Sequence, residues 1–85
     1  MSDVQKKFEE ASVAVKKLKE DPGNDVKLQL YALYKQGSEG DVAGKRPGFT
    51  DMIGRAKYDA WAKTKGMTKD EAMKKYVALV KSLTA

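Results

Sequence analysis

Apolar residues recur at three- and four-residue steps in four separate stretches of this chain, with glycine- or proline-rich turn signals between the stretches. This constrains the fold more than any other feature, because a period near 3.6 gathers such residues on one face of an α-helix, whereas a half-buried strand needs strict alternation. Val4, Phe8, Ala11, Val15 and Leu18 form one stripe down a first helix, with Ser2 and Gln5 spaced as a capping box at its start. Asp21-Pro22-Gly23-Asn24 is a stop and turn signal, and Asn24 or Asp25 is placed to cap the next helix. That helix is predicted over residues 25–36. Val26, Leu30 and Leu33 make one of its stripes, and Leu28, Tyr31 and Lys35 make a neighbouring one, so one helix has a face for a core and a face for a ligand.

Gly37, Gly40, Gly44 and Gly48, with Pro47, exclude a regular helix through the connection that follows. A connection of this length in so small a domain is often functional, the other reading being a mobile insertion. The third helix is predicted over residues 51–65. Ile53, Ala56, Lys57, Ala60 and Trp61 share one side of it, and Gly66 suits the left-handed position that ends it. Thr68 and Glu71 form a capping box for a fourth helix, with Asp70 in the same first turn. This helix carries Ala72, Tyr76, Leu79 and Leu83, flanked by Met73, Val77 and Val80. The fold class is therefore all-α: four helices with a long connection between the second and third. Three helices and a frayed segment is the alternative. The 85 residues suffice for one domain, residues 1–85, with one core.

The chain has no cysteine, which excludes disulfides, thiolate nucleophiles and cysteine metal sites. It has no histidine, which removes the usual general base near neutral pH and the usual transition-metal ligand. The formal net charge of +5 favours anionic partners, although lysine-rich faces also simply keep a small protein soluble. No apolar run approaches the ~20 residues that span a membrane, and MSDVQKKFEEAS lacks the apolar middle of a secretory signal. The cytoplasm is the expected compartment.

Tyr31 and Lys35 are one helical turn apart, as are Lys57 and Trp61, with Tyr58 beside Lys57. Should these helices converge, lysines and phenols would gather at the rim of a pocket, where both donate to a phosphate and the rings stack on a base. Each residue also has an ordinary explanation: tyrosines and a lone tryptophan at helical spacing fill cores, and lysines are solvated. There is no GxxxxGK[ST] loop, no strand feeding a GxGxxG turn, and no zinc or calcium loop.

YALYKQGSEGD resembles the YxxYKQAxxGD block of the acyl-CoA-binding protein family. KRPGF with Asp51 resembles that family's RPGxxD segment, RAKYDAW its KxxAW block, and GMTKDEAMKKY its G-[ST]-[SK]-x-[ED]-A-M-x-x-Y stretch, in the same order and spacing. The resemblance covers nearly the whole chain. It implies an up-down-down-up four-helix bundle and a non-enzymatic carrier of medium- to long-chain acyl-CoA thioesters, with the acyl chain in an apolar groove and the 3′-phosphate held by lysines and tyrosine. By matching position it assigns Tyr31, Lys35 and Lys57 to the phosphate, Tyr76 to the side of the adenine, and Lys16 to the CoA head. Ser12, Leu28 and Met52 fall at groove or head-group positions. No catalytic residue, metal or cofactor is implied beyond the acyl-CoA ligand. Nor is a nucleic-acid partner implied. A monomer is expected because no long exposed apolar stripe demands a partner, with transient contacts to membranes or acyl-CoA-using enzymes. Three positions depart from the pattern: Gly37 stands for alanine, Tyr58 for tryptophan, and Lys27 for an often apolar residue.

A basic nucleic-acid-binding helical domain is the alternative that the charge and aromatic residues allow. Against it, Glu9, Glu10, Glu20, Asp21, Asp59, Asp70 and Glu71 interrupt the lysines, so that no helix is cleanly basic.

Overall fold

The computed structural model describes residues 3–84, in which four α-helices run α1 Asp3–Ala14, α2 Asn24–Glu39, α3 Met52–Ala62 and α4 Lys69–Thr84, with a short 3₁₀ turn at Val15–Lys17 after α1. The expected box at the start of α1 depends on Ser2, which lies outside the described residues. At α2 the cap is neither Asn24 nor Asp25 but Gly23, at φ 94°. The Asp21 carboxylate accepts from the Gly23 N–H at 2.8 Å and pairs with Lys27 at 2.6 Å, so the acidic group that shapes this turn sits two residues before the cap.

Two helix ends differ from the sequence expectation. α2 continues through Gly37 to Glu39, because Gly37 is buried where a side chain would crowd: a Cβ there would lie 3.1 Å from Met73 Cγ and 3.2 Å from the Phe8 ring. Close packing thus overrides the poor helix propensity of glycine, and the helix stops instead at Gly40, at φ 88°. α3 begins at Met52 with Asp51 as its cap, the carboxylate accepting from the Gly54 N–H at 3.0 Å. It gives way after Ala62 to tight turns that close at Gly66, at φ 93°. The Thr68–Glu71 box is present at α4: the Glu71 N–H donates to the Thr68 hydroxyl at 3.1 Å, and that hydroxyl donates to the Glu71 carboxylate at 3.2 Å.

The contacts give the helix directions. Phe8 meets Gly37 while Val15 lies by Leu30, so α1 and α2 are antiparallel. Lys57 meets Tyr31 and Thr64 meets Gln36, so α2 and α3 are parallel. Met73 meets Gly37 and Val80 joins Leu30, so α4 opposes α2. The order is up-down-down-up. α4 packs on α1 and α2, whereas α3 packs on α2 alone, giving a slab 37 × 30 × 15 Å. Phe8, Ala11, Leu30, Tyr76 and Val80 form the core, and Phe8 and Tyr76 stand edge to face at 5.1 Å between centroids. α3 has no share in that core, so its two faces remain open to make grooves against α2.

Candidate functional site

Parallel packing of α2 and α3 sets Tyr31 opposite Lys57 and Lys35 opposite Trp61. The Lys57 Nζ lies 5.4 Å from the Tyr31 ring centre, and the Lys35 Nζ lies 5.1 Å from that of Trp61. The i, i+4 spacing on each helix therefore produces two cation–aromatic pairs, one turn (about 5.4 Å) apart along the seam. Lys35 also pairs with Glu39 one turn further on, and the hydrogen bond to that carboxylate raises its pKa above the ordinary lysine value. Lys57 has no carboxylate partner, the salt bridges of the described residues running Lys27–Asp21, Lys35–Glu39 and Arg46–Asp59. Two ammonium groups beside two rings can receive a phosphate and a flat base together.

Directly alongside, Leu28, Met52, Ile53 and Ala56 line a groove of about 390 Å³ between α2 and α3, with Lys27 and Lys57 at its edge. Leu28 and Met52 are thus brought to one apolar groove, and Lys57 belongs both to that groove and to the cationic patch. Lys27 is turned to Asp21, which leaves its stem along the groove. Leu28 and Ala56 also border a larger cleft, about 640 Å³, that continues along the other side of the seam past Ala32, Leu33 and Ala60.

The remaining sequence candidates are placed differently. Lys16 is exposed in the 3₁₀ turn after α1, and the Ser12 hydroxyl donates to the Glu9 carbonyl at 2.6 Å; α1 does not pack on α3, so neither is joined to the lysine patch by helix packing. Tyr76, assigned by resemblance to the side of an adenine, is 3% exposed. Its ring fills the core between Phe8 and Tyr34, and burial pushes its hydroxyl pKa up. It sits on an inward stripe of α4 that α1 covers, which leaves no open ring face for a base. Tyr34, at the outer end of the same aromatic trio and one turn from Tyr31 and Ser38, is the ring of that trio that reaches solvent, at 40% exposure.

A buried polar network was not legible in the sequence. Gln36 is fully buried on α2; its Nε2 donates to the Asp41 carboxylate at 2.8 Å and to the Met67 carbonyl at 2.7 Å, while its Oε1 accepts from the Thr64 hydroxyl at 2.9 Å. Asp41 accepts in addition from the Gly66 N–H at 2.9 Å. That backbone bond, then Gln36, holds its carboxyl below the usual range. The connection after α2 is fastened to α3 at three more points. Trp61 donates to the Gly40 carbonyl at 2.9 Å, Tyr58 to the Gly44 carbonyl at 3.1 Å, and Arg46 clasps Asp59 through two bonds of 2.8 and 2.6 Å. Tyr58, which stands where the pattern has tryptophan, thus spends its hydroxyl on the connection.

Two parallel helices with a cationic patch at the edge of an apolar groove define a small helical ligand-binding domain for an amphipathic anion. Comparison with known proteins is specific. The family model for acyl-CoA-binding protein matches residues 5–80. The chain is 51% identical over 78 residues to acyl-CoA-binding protein homolog 1 of Caenorhabditis elegans, covering 92% of this chain and 91% of that one. It is 48% identical over 85 residues to enoyl-CoA delta isomerase 2 of Rattus norvegicus, but spans only 22% of that protein's length. The crystal structure of acyl-CoA-binding protein 2 from Oryza sativa superposes with a TM-score of 0.91 at 42% identity, covering 95% of this chain and 90% of that one. The chain belongs to the acyl-CoA-binding protein family.

Proposed function

We infer that the chain binds acyl-CoA thioesters and carries them. The observation that carries this reading is the pairing of Lys57 with Tyr31 and of Lys35 with Trp61 at the edge of an apolar groove. The CoA phosphates meet the two ammonium groups, the base lies against the half-buried rings of Tyr31 and Trp61 at the same seam, and the tail enters the groove past Leu28 and Met52. Hydrogen bonds to charged groups contribute about 1.5–3 kcal/mol each, and each buried CH₂ contributes about 0.8 kcal/mol. On that basis the head confers specificity and the tail adds affinity until the groove is full, which favours medium- to long-chain thioesters. Lys16, on the 3₁₀ turn after α1 and apart from the lysine patch, is a further contact for the head group only where the ligand reaches beyond the seam. The carrier works as a monomer in the cytoplasm, forming an acyl-CoA pool. It does not cleave the thioester, since no histidine or cysteine is present to attack or activate water.

Isothermal titration calorimetry with a long-chain acyl-CoA, free CoA and the matching fatty acid tests this reading. Tight one-to-one binding of the thioester, much weaker binding of both fragments, and recovery of intact thioester are expected. Equal affinity for the free fatty acid, or hydrolysis during the titration, would overturn it.

A further inference from the structure

The two ammonium groups at the seam are not equivalent. Lys57 has no carboxylate partner among the described residues, whereas Lys35 is paired with Glu39, the last residue of α2. The hydrogen bond between them raises the Lys35 pKa, which keeps that ammonium group charged. Lys35 is the half-buried member of the pair and lies by the Trp61 ring. Glu39 is exposed, and Lys35 is its one side-chain partner among the described residues.

Helix physics gives Glu39 no other task. A carboxylate in the last turn faces the negative end of the helix dipole, which costs stability. Lysine at i with glutamate at i+4 is also the weaker order for such a pair, and exposed ion pairs contribute little in any case. The end of α2 is secured without Glu39: the Gly40 N–H donates to the Gln36 carbonyl at 3.1 Å, and the Gln36 side chain is bonded to Asp41, Thr64 and the Met67 carbonyl. Glu39 does not hold the helix; what it holds is Lys35.

We propose that Glu39 is a built-in competitor for the ligand phosphate at Lys35, an exchangeable anion that an incoming acyl-CoA displaces and that retakes the lysine when the thioester leaves. This deepens the acyl-CoA reading and rests on it. Lys57 is open and receives phosphate directly. Lys35 is taken only by an anion stronger than a carboxylate tethered one turn away, which acts at a high effective concentration. A phosphate monoester is such an anion, with a charge near about −2 and three strong acceptor oxygens. Glu39 thus sets the affinity below what two free ammonium groups would give, as suits a carrier that must release its ligand.

Calorimetry with a long-chain acyl-CoA on wild type and Glu39→Gln tests this, since the amide keeps the shape and removes the charge. Glu39→Gln should bind about two- to sixfold more tightly, the factor by which a weak exposed ion pair holds Lys35 back, with the melting curve unchanged. Glu10→Gln, which removes the same charge from an exposed site on α1, should bind as wild type does. In a Lys35→Ala background, Glu39→Gln should gain less than it does in wild type. Unchanged or weaker binding by Glu39→Gln overturns the proposal, and weaker binding would make Glu39 a residue that positions Lys35. An equal gain in Glu10→Gln also overturns it, by making the effect one of net charge, as does a full gain in the Lys35→Ala background. If wild type binds no acyl-CoA, the carrier reading falls and this inference with it. If wild type binds and Glu39→Gln is no tighter, this inference falls alone.

Discussion

Lys57→Ala tests the seam most directly, because Lys57 is the ammonium at the patch that no carboxylate already engages. Truncation removes one charge-assisted contact to a ligand phosphate, about 1.5–3 kcal/mol, and exposure of this lysine places the effect in the lower half of that range. Acyl-CoA affinity should therefore fall by about tenfold to fortyfold. The folded state loses only the contact with the Tyr31 ring, about 0.5–1 kcal/mol at an exposed site, so the thermal midpoint should drop by only about 2–8 °C. Lys35→Ala is expected to weaken binding at least as much, because it also leaves the Glu39 carboxylate unneutralised where the phosphate arrives. Calorimetry gives the affinity and far-UV CD melting gives the stability. If Lys57→Ala binds acyl-CoA within twofold of wild type, the phosphates do not lie on the α3 side of the seam. If it loses affinity only in proportion to a large loss of fold, Lys57 is a structural residue and the assignment fails.

Three further outcomes follow from the network and the core. Gln36→Leu leaves the Met67 carbonyl without its donor and takes one donor from the Asp41 carboxylate, while the Thr64 hydroxyl keeps the Trp61 carbonyl at 2.6 Å; at about 1 kcal/mol or somewhat more for each lost bond, urea unfolding should show a loss of about 2–3 kcal/mol, and an unchanged midpoint would mean that water replaces the glutamine. Gly37→Val should destabilise by about 1–3 kcal/mol through overpacking against Phe8 and Met73, which melting checks; a stabilised variant would show that this part of the core yields. The Asp41 and Asp59 carboxyls are held below their ordinary values, Asp41 chiefly by the Gly66 N–H and Asp59 by Arg46. A depressed folded pKa stabilises above the unfolded value of about 3.9 and is lost as pH falls through the folded value. The midpoint should thus be flat with respect to these two groups from pH 7 to about 5 and fall below about 4, less steeply in Asp41→Asn, and equal acid sensitivity in that variant would remove Asp41 from the account.

The helices were legible in the sequence because each must bury a stripe, and a stripe at three- and four-residue spacing has one regular solution. Their ends were less so. Gly37 continues α2 because Phe8 and Met73 close over it, a contact between three helices that propensity does not register. The meeting of Tyr31, Lys35, Lys57 and Trp61 could be anticipated from two i, i+4 pairs, given converging helices. The depth of Tyr76 could not, since it depends on α1 lying over α4. Gln36 is the extreme case: a polar residue in a helix reads as solvated until its partners, Asp41, Thr64 and Met67, are known, and two of those are contributed from beyond α3.

The long connection, read from sequence as either functional or a mobile insertion, is explained by the direction of the helices. α2 and α3 must be parallel for Tyr31 to meet Lys57 while Gln36 meets Thr64. Parallel neighbours cannot be joined by a tight turn, because the chain leaves at one end of the pair and must re-enter at the other. From Gly40 back to the level of Leu28, where Met52 lies, is about 18 Å at 1.5 Å per residue, and residues 40–51 extended reach about 40 Å at most. The chain covers that distance along α3, fastened first at Trp61, then at Tyr58 and Asp59, and last by the Asp51 cap. Each fastening sets the axial position of α3 against α2. A slip of one turn would carry Lys57 past Tyr31 and Trp61 past Lys35, separating both cation–aromatic pairs. The connection is therefore part of the site without touching it: it holds the two helices in the one register that puts two ammonium groups beside an apolar groove.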